Sequence, residues 1–125
     1  MILDTNAISA WCDGDAALLA VLPADRPLFL PAIVLGEYRF GINVARDRRT
    51  REAWLAEVES AVTVLDVNGE TARHYADVRE ELRKARTPIP ENDLWIAALA
   101  RQHDLPVITR DAHFDRVSHL RRVGW

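Results

Sequence analysis

Four carboxylates sit where this chain turns into or out of regular structure. Asp93 lies in Asn92-Asp93, which opens into the nearly all-apolar Leu94-Trp95-Ile96-Ala97-Ala98-Leu99-Ala100. Pro88 and Pro90 forbid a continuing helix, so a helix begins at about Glu91 or Asn92 and Asp93 falls in its first turn. Asp4 ends the short apolar run Met1-Ile2-Leu3, and Asp111 follows the β-branched run Val107-Ile108-Thr109. In a parallel α/β sheet, an acid at the carboxyl end of a strand points into the crevice where ligands bind. Glu37 lies within Ile33-Val34-Leu35-Gly36-Glu37-Tyr38-Arg39-Phe40-Gly41-Ile42, where helical register sets it beside Ile33, Phe40, Gly41 and Val44 as the one charge on an otherwise apolar face.

Taken singly, each acid has a plain structural use. Asn92 or Asp93 caps a helix, Asp4 and Asp111 make strand-end turns, and Glu37 rims an amphipathic helix. Taken together, four carboxylates gathered in one place repel one another severely unless a hard multivalent cation lies between them. We read them as one metal site.

The segments that carry these acids, in this order, resemble the PIN-domain ribonucleases. The length and motif wording are similar to the VapC toxins of toxin–antitoxin pairs. The matching residues are Leu3-Asp4-Thr5-Asn6, Gly36-Glu37 with Gly41 following, Asn92-Asp93 leading into Ile96-Ala97-Ala98, and Thr109-Arg110-Asp111 with His113-Phe114. The match runs nearly end to end. Two departures stand out: almost nothing precedes Asp4, and Asp115 is an additional acid, expected at the surface.

The resemblance implies RNA as substrate, a cognate VapB-like antitoxin as partner, and a homodimer. In this reading Asp4, Asp93 and Asp111 bind Mg²⁺ or Mn²⁺, and Glu37 binds it directly or through water. Asn6 and Thr109 orient the ligands or the scissile phosphate.

Composition sets the frame. A chain of 125 residues with 49% hydrophobic content is long enough for one domain, residues 1–125, with a sizeable core. There is no leader pattern and no apolar run near the ~18 residues a membrane span needs, and the lone Cys12 cannot close an internal disulfide. The expected compartment is the cytoplasm. The net charge of −3 argues against nucleic-acid binding through an overall positive field. The cations are nevertheless clustered. Arg46, Arg48, Arg49 and Arg51 form one run, read either as a contact for RNA or the partner or as a solvated turn, and Lys84 is the only lysine.

Strands alternate with helices along the chain. Met1–Leu3 reads as the first strand, with helix-like residues from Ala7, and Asp15–Leu22 as a helix closed by Pro23. Leu28–Leu30 reads as a strand between prolines, and the Glu37 helix runs to about Ala45. A second helix follows through Trp54, Leu55, Val58 and Ala61, and Val62–Val67 reads as a strand that leaves through the turn Asn68-Gly69. Then come a half-exposed helix over 70–86, the Asp93 helix, a strand at Val107–Thr109 and a weak strand near Val123. This pattern predicts an α/β PIN-like domain with a central parallel sheet of about five strands and helices on both faces.

Two rival chemistries are weaker. Zinc is not expected: His74, His103, His113 and His119 share no pairing on one helix face, and there is no cysteine pair. His113 is read as closing the turn after Asp111, with a substrate or outer-sphere contact as the alternative. A haloacid-dehalogenase-like phosphatase needs a second aspartate two residues beyond the first, and Asn6 stands there. A PIN-like scaffold that binds RNA or protein without cutting is the non-enzymatic alternative, natural only had one of the four acids been lost. Trp11, Trp54 and Trp95 read as packing residues.

Overall fold

The computed structural model describes residues 1–125. Five short parallel strands form one sheet: β1 (Ile2–Leu3), β2 (Phe29–Pro31), β3 (Thr63–Leu65), β4 (Val107–Ile108) and β5 (Arg122–Val123), in the order β3-β2-β1-β4-β5. Six α-helices connect them: α1 (Thr5–Cys12), α2 (Ala16–Val21), α3 (Ala32–Val44), α4 (Arg48–Ala61), α5 (Gly69–Ala85) and α6 (Glu91–His103). A 3₁₀ turn, Ala112–Arg116, links β4 to β5.

The order explains where a ligand would sit. The chain steps from β1 to β2 to β3 in one direction, then crosses back to lay β4 on the other side of β1. With right-handed crossovers, that reversal sends the connecting helices to opposite faces and opens a crevice at the carboxyl ends of β1 and β4. Asp4 follows β1 directly, and Thr109 and Asp111 follow β4.

The core is one cluster of 25 buried apolar residues drawn from strands and helices alike. Ile2, Leu3, Val107 and Ile108 are all fully buried, which is why these strands read as unbroken apolar runs. Helix α6 is the most enclosed: Leu94 and every residue from Ile96 to Ala100 are buried. Its alanines let neighbouring backbones approach while Ile96 and Leu99 fill the space between them. α5 packs along α6 through Val78 and Leu82 and begins with a capping box, in which Asn68 accepts from the Thr71 backbone and Thr71 from that of Asn68.

The structure moves several expected boundaries. Asn68-Gly69 does not turn freely out of the third strand; Asn68 caps α5, which starts at Gly69. α1 starts at Thr5, because Asp4 itself is its N-cap. The third strand keeps only Thr63–Leu65, since Val62 ends α4 and Val67 is left in solvent. The Glu37 face is corrected too. α3 buries Val34, Tyr38 and Ile42, whereas Phe40 and Val44 are 71% and 75% exposed. Glu37 therefore stands at the edge of the buried face, beside an apolar patch open to water.

Leu99 is fully enclosed by this core. Leu99→Ala is expected to cost about 2–5 kcal/mol, and Leu99→Met less than about 1.5 kcal/mol, because the first opens a cavity and the second nearly conserves volume. Urea unfolding followed by circular dichroism measures both; coincident midpoints for wild type and Leu99→Ala would show that α6 is not the core helix.

Candidate functional site

Asp4 is the fixed point of the site. It is 5% exposed and ringed by donors. Thr5 N donates to Oδ1 at 2.7 Å, while Asn6 Nδ2 and the Thr109 hydroxyl donate to Oδ2 at 2.8 and 2.7 Å. The Thr109 oxygen in turn accepts from Asn6 Nδ2 at 3.0 Å and Asp111 N at 2.9 Å, so its one proton and both lone pairs are used. The Arg110 backbone donates to Asn6 Oδ1 at 3.1 Å. The ends of β1 and β4 are thereby laced together by side chains that also aim a carboxylate. Asn6 serves as a donor and link in this lattice, which is the role the missing second aspartate leaves open.

The other three acids converge on the same crevice. Glu37 accepts hydrogen bonds from the Thr5 hydroxyl and from Asn92 Nδ2, tying α3 to the starts of α1 and α6. Asp111 caps the 3₁₀ turn, accepting from His113 N at 2.8 Å. Asp93 caps nothing. The residue before α6 is Pro90, and no side chain caps that helix, so the carboxylate of Asp93 is not spent on its own helix end. His113 Nδ1 lies 3.1 Å from Asp93 Oδ2 and 3.0 Å from Asp111 Oδ1. Ligand atoms of Asp93, Asp111 and His113 all fall within 4.8 Å of one another, close enough to share one ion.

The titration behaviour records the crowding. Burial raises the Asp93 carboxyl from the ordinary 3.8 to about 6, the His113 hydrogen bond opposes this, and the charges of Asp4 and Asp111 push it further up. Burial also raises Asp4. Hydrogen bonds from Thr109 and Thr5 pull it back, while the charges of Glu37 and Asp111 add to the rise. These mutual influences link all four acids. No arginine or lysine pairs with any of them: Arg110 binds Asp15, Arg51 binds Asp47 and Asp13, and Arg122 binds Asp115. Oxygen donors gathered without a protein cation match the ligand preference of a hard divalent ion.

A PIN-domain family model matches residues 1–120. Ribonuclease VapC5 of Mycobacterium tuberculosis is 36% identical over 115 residues, which span 90% of this chain and 84% of that protein. This chain belongs to the VapC branch of the PIN-domain family. VapC ribonuclease Y4jK of Sinorhizobium fredii is 33% identical over 121 residues, 89% of this chain and 86% of its own. Among solved structures, a member of the VapBC family of toxin–antitoxin systems, VapBC-5 from Mycobacterium tuberculosis, superposes with a TM-score of 0.79 at 32% identity, covering 99% of this chain and 97% of that one.

Within this VapC chain, several side chains lie apart from their expected places. His113 closes the turn after Asp111 as read, through its backbone N, and its ring also stands between two of the acids. Its spacing two residues beyond Asp111 was the available signal, but its approach to Asp93 depends on how α6 docks. Thr5 and Asn92, the residues that hold Glu37, gave no signal beyond their adjacency to Asp4 and Asp93. Asp115 is at the surface as expected, paired with Arg122 at 2.7 Å. Of the arginine run, Arg48 is paired with Glu52 at 2.7 Å, and Arg51 joins α4 to Asp47 and Asp13. Arg46 and Arg49 are exposed and form no ion pair. Trp11 and Trp54 pack edge to face at 5.8 Å, and Trp95 stacks on Tyr75 at 4.1 Å.

A carboxyl whose pKa is higher folded than unfolded favours folding only while protonated. That contribution is present below the unfolded value and is lost as pH rises through the folded one. For Asp93 the window runs from about 3.8 to about 6. In the absence of divalent metal, Asp93→Asn is therefore expected to melt above wild type at neutral pH, with the gap closing towards about pH 4. Melting curves across that range check it; a mutant less stable than wild type at neutral pH would mean that the His113 contact outweighs the repulsion.

Proposed function

We propose that this VapC chain is an endoribonuclease and the toxin of a toxin–antitoxin pair, hydrolysing RNA phosphodiester bonds with Mg²⁺ or Mn²⁺. Asp4, Asp93 and Asp111 would hold the ion, with Glu37 binding it directly or through water. The observation that carries this reading is that Asp93 and Asp111 lie with His113 within reach of one ion while Asp4 and Glu37 stand near enough to act on the same cluster, and that no arginine or lysine pairs with any of the four acids. The two named relatives are ribonucleases, and the VapBC-5 structure belongs to a toxin–antitoxin family, which supports the choice of substrate and partner.

When bound, such an ion supplies a lowered pKa for an attacking water and stabilises charge at the scissile phosphate. The chain supplies the positioning. Asn6 and Thr109 lock one oxygen of Asp4, and Thr5 and Asn92 hold both oxygens of Glu37. His113 restrains Asp93 against Asp111. Fixed acids lower the reorganisation needed at the moment of reaction. Arg46 and Arg49, free of ion pairs, are the members of their run available to RNA or to the antitoxin.

A small ribonuclease acting in the cytoplasm needs restraint from outside its own chain. We assign that to a VapB-like peptide placing a basic side chain among the acids, acting on a homodimer of this chain. No helix is long and apolar enough to cross a membrane.

Cleavage of RNA should stop in chelator and return with Mg²⁺ or Mn²⁺, and Asp93→Asn should lower it by more than about 100-fold. Cleavage that survives chelation, or returns only with Zn²⁺, would refute the site as drawn. Expression of wild type alone should arrest growth, and Asp4→Ala should not. Equal growth at equal protein levels would refute the toxin assignment and leave the nuclease assay to stand by itself.

A further inference from the structure

The carboxyl-terminal half of α5 and the segment leading into α6 enclose a second concave feature, a groove of about 410 Å³. Its floor is apolar, made by Leu82, Ile89 and Leu94, and its wall carries Arg79, Arg83 and Arg86. These arginines recur at helical spacing along one side of α5. Another face of the same helix carries Asp77, Glu80, Glu81 and Lys84. Three guanidiniums against the one carboxylate of Glu91 leave the trough net positive in a protein of net charge −3.

We propose that this groove is a subsite for the phosphate backbone of the RNA strand flanking the bond that is cut. The inference rests on the ribonuclease reading and extends it to residues outside the acid cluster. Three observations converge on it. Arg86 forms no ion pair, and Arg83, though paired with the half-buried Glu80 through two hydrogen bonds at 2.7 and 2.8 Å, keeps 69% of its side chain exposed. Arg86 also occupies the left-handed region, with φ 57°, at the end of α5. Folding alone favours glycine there, so a charged side chain is kept against a local backbone cost. Finally, the groove meets the helix that carries one of the acids: Glu91 and Leu94 line it, and Asp93 lies between them in sequence, in the first turn of α6. A strand whose scissile phosphate lies at Asp93 would pass Arg83 and Arg86, where neither contact depends on base identity.

The test uses the double variant Arg83→Gln, Arg86→Gly. It removes two guanidiniums, leaves Arg79 on Tyr75 and Glu91, and places glycine where the backbone favours it, so melting should be unchanged or raised. Binding of a labelled mixed-sequence RNA of about 20 nucleotides is measured against salt. Each phosphate contact to a single strand contributes about 0.7 to the slope of log K against log salt. The variant should bind roughly tenfold more weakly, with the slope reduced by about 1.4. For RNA cleavage KM should rise with kcat unchanged. Arg73→Gln, an exposed arginine on α5 outside the groove, should change neither.

A double variant that folds and binds with wild-type affinity and slope overturns the subsite while leaving the nuclease reading intact. A wild type that neither binds nor cuts RNA overturns both. A variant that changes self-association or antitoxin binding, with RNA binding intact, assigns the groove to protein contact and overturns the RNA subsite.

Discussion

Carboxylate repulsion at the end of β1 is the constraint on which the rest of the structure depends. Asp4 is buried, and a buried charge is tolerable only with its oxygens satisfied. Thr5, Asn6 and Thr109 do this, and in doing so they join β1 to β4 at the point where the sheet reverses direction. The same lattice holds an acid for chemistry and pins the two central strands together. Function and fold are thus coupled at one residue rather than divided between a scaffold and a grafted site.

The acids differ in what they do for the fold. Asp4 and Asp111 also cap α1 and the 3₁₀ turn, so their negative charge meets backbone donors as well as the crevice. Asp93 has no cap to make. Burial raises its carboxyl, and only His113 answers it within the protein. That imbalance is the physical sign of a group positioned for something other than stability. Glu37 is intermediate, with both oxygens held by side chains from two other helices while its own helix exposes Phe40 and Val44 to solvent.

Positive charge is distributed to suit. The arginines nearest the crevice are turned aside into pairs with surface acids, and Arg110 also lies 4.6 Å above the ring of Trp125. None of them neutralises the cluster. Among the guanidiniums without an ion pair are Arg46 and Arg49 at the α3–α4 turn and Arg86 in the groove at the end of α5. An acidic centre flanked by cationic tracks suits a polyanion that is drawn in by its backbone and cut at a single phosphate.

Much of this was legible in the linear chain because it arises from short-range rules. Buried parallel strands must be apolar, so Ile2-Leu3 and Val107-Ile108 announce themselves, and Pro88 and Pro90 leave α6 only one place to begin. Acids at strand ends and in a first helical turn mark a crevice once the fold class is known, and family resemblance joined the four into one set. The tertiary structure decided what depends on how elements dock. It placed Glu37 off the buried face of α3, because Val34, Tyr38 and Ile42 meet the core instead. It brought His113 to Asp93 across the junction of α6 and the 3₁₀ turn, a contact between residues 20 apart that no periodicity encodes. It divided one arginine run into paired and free members and showed that Asn68 caps a helix rather than merely turning the chain. Local sequence determines which elements form and which acids stand at their ends; only long-range packing determines which side chains meet and which charges are left unanswered.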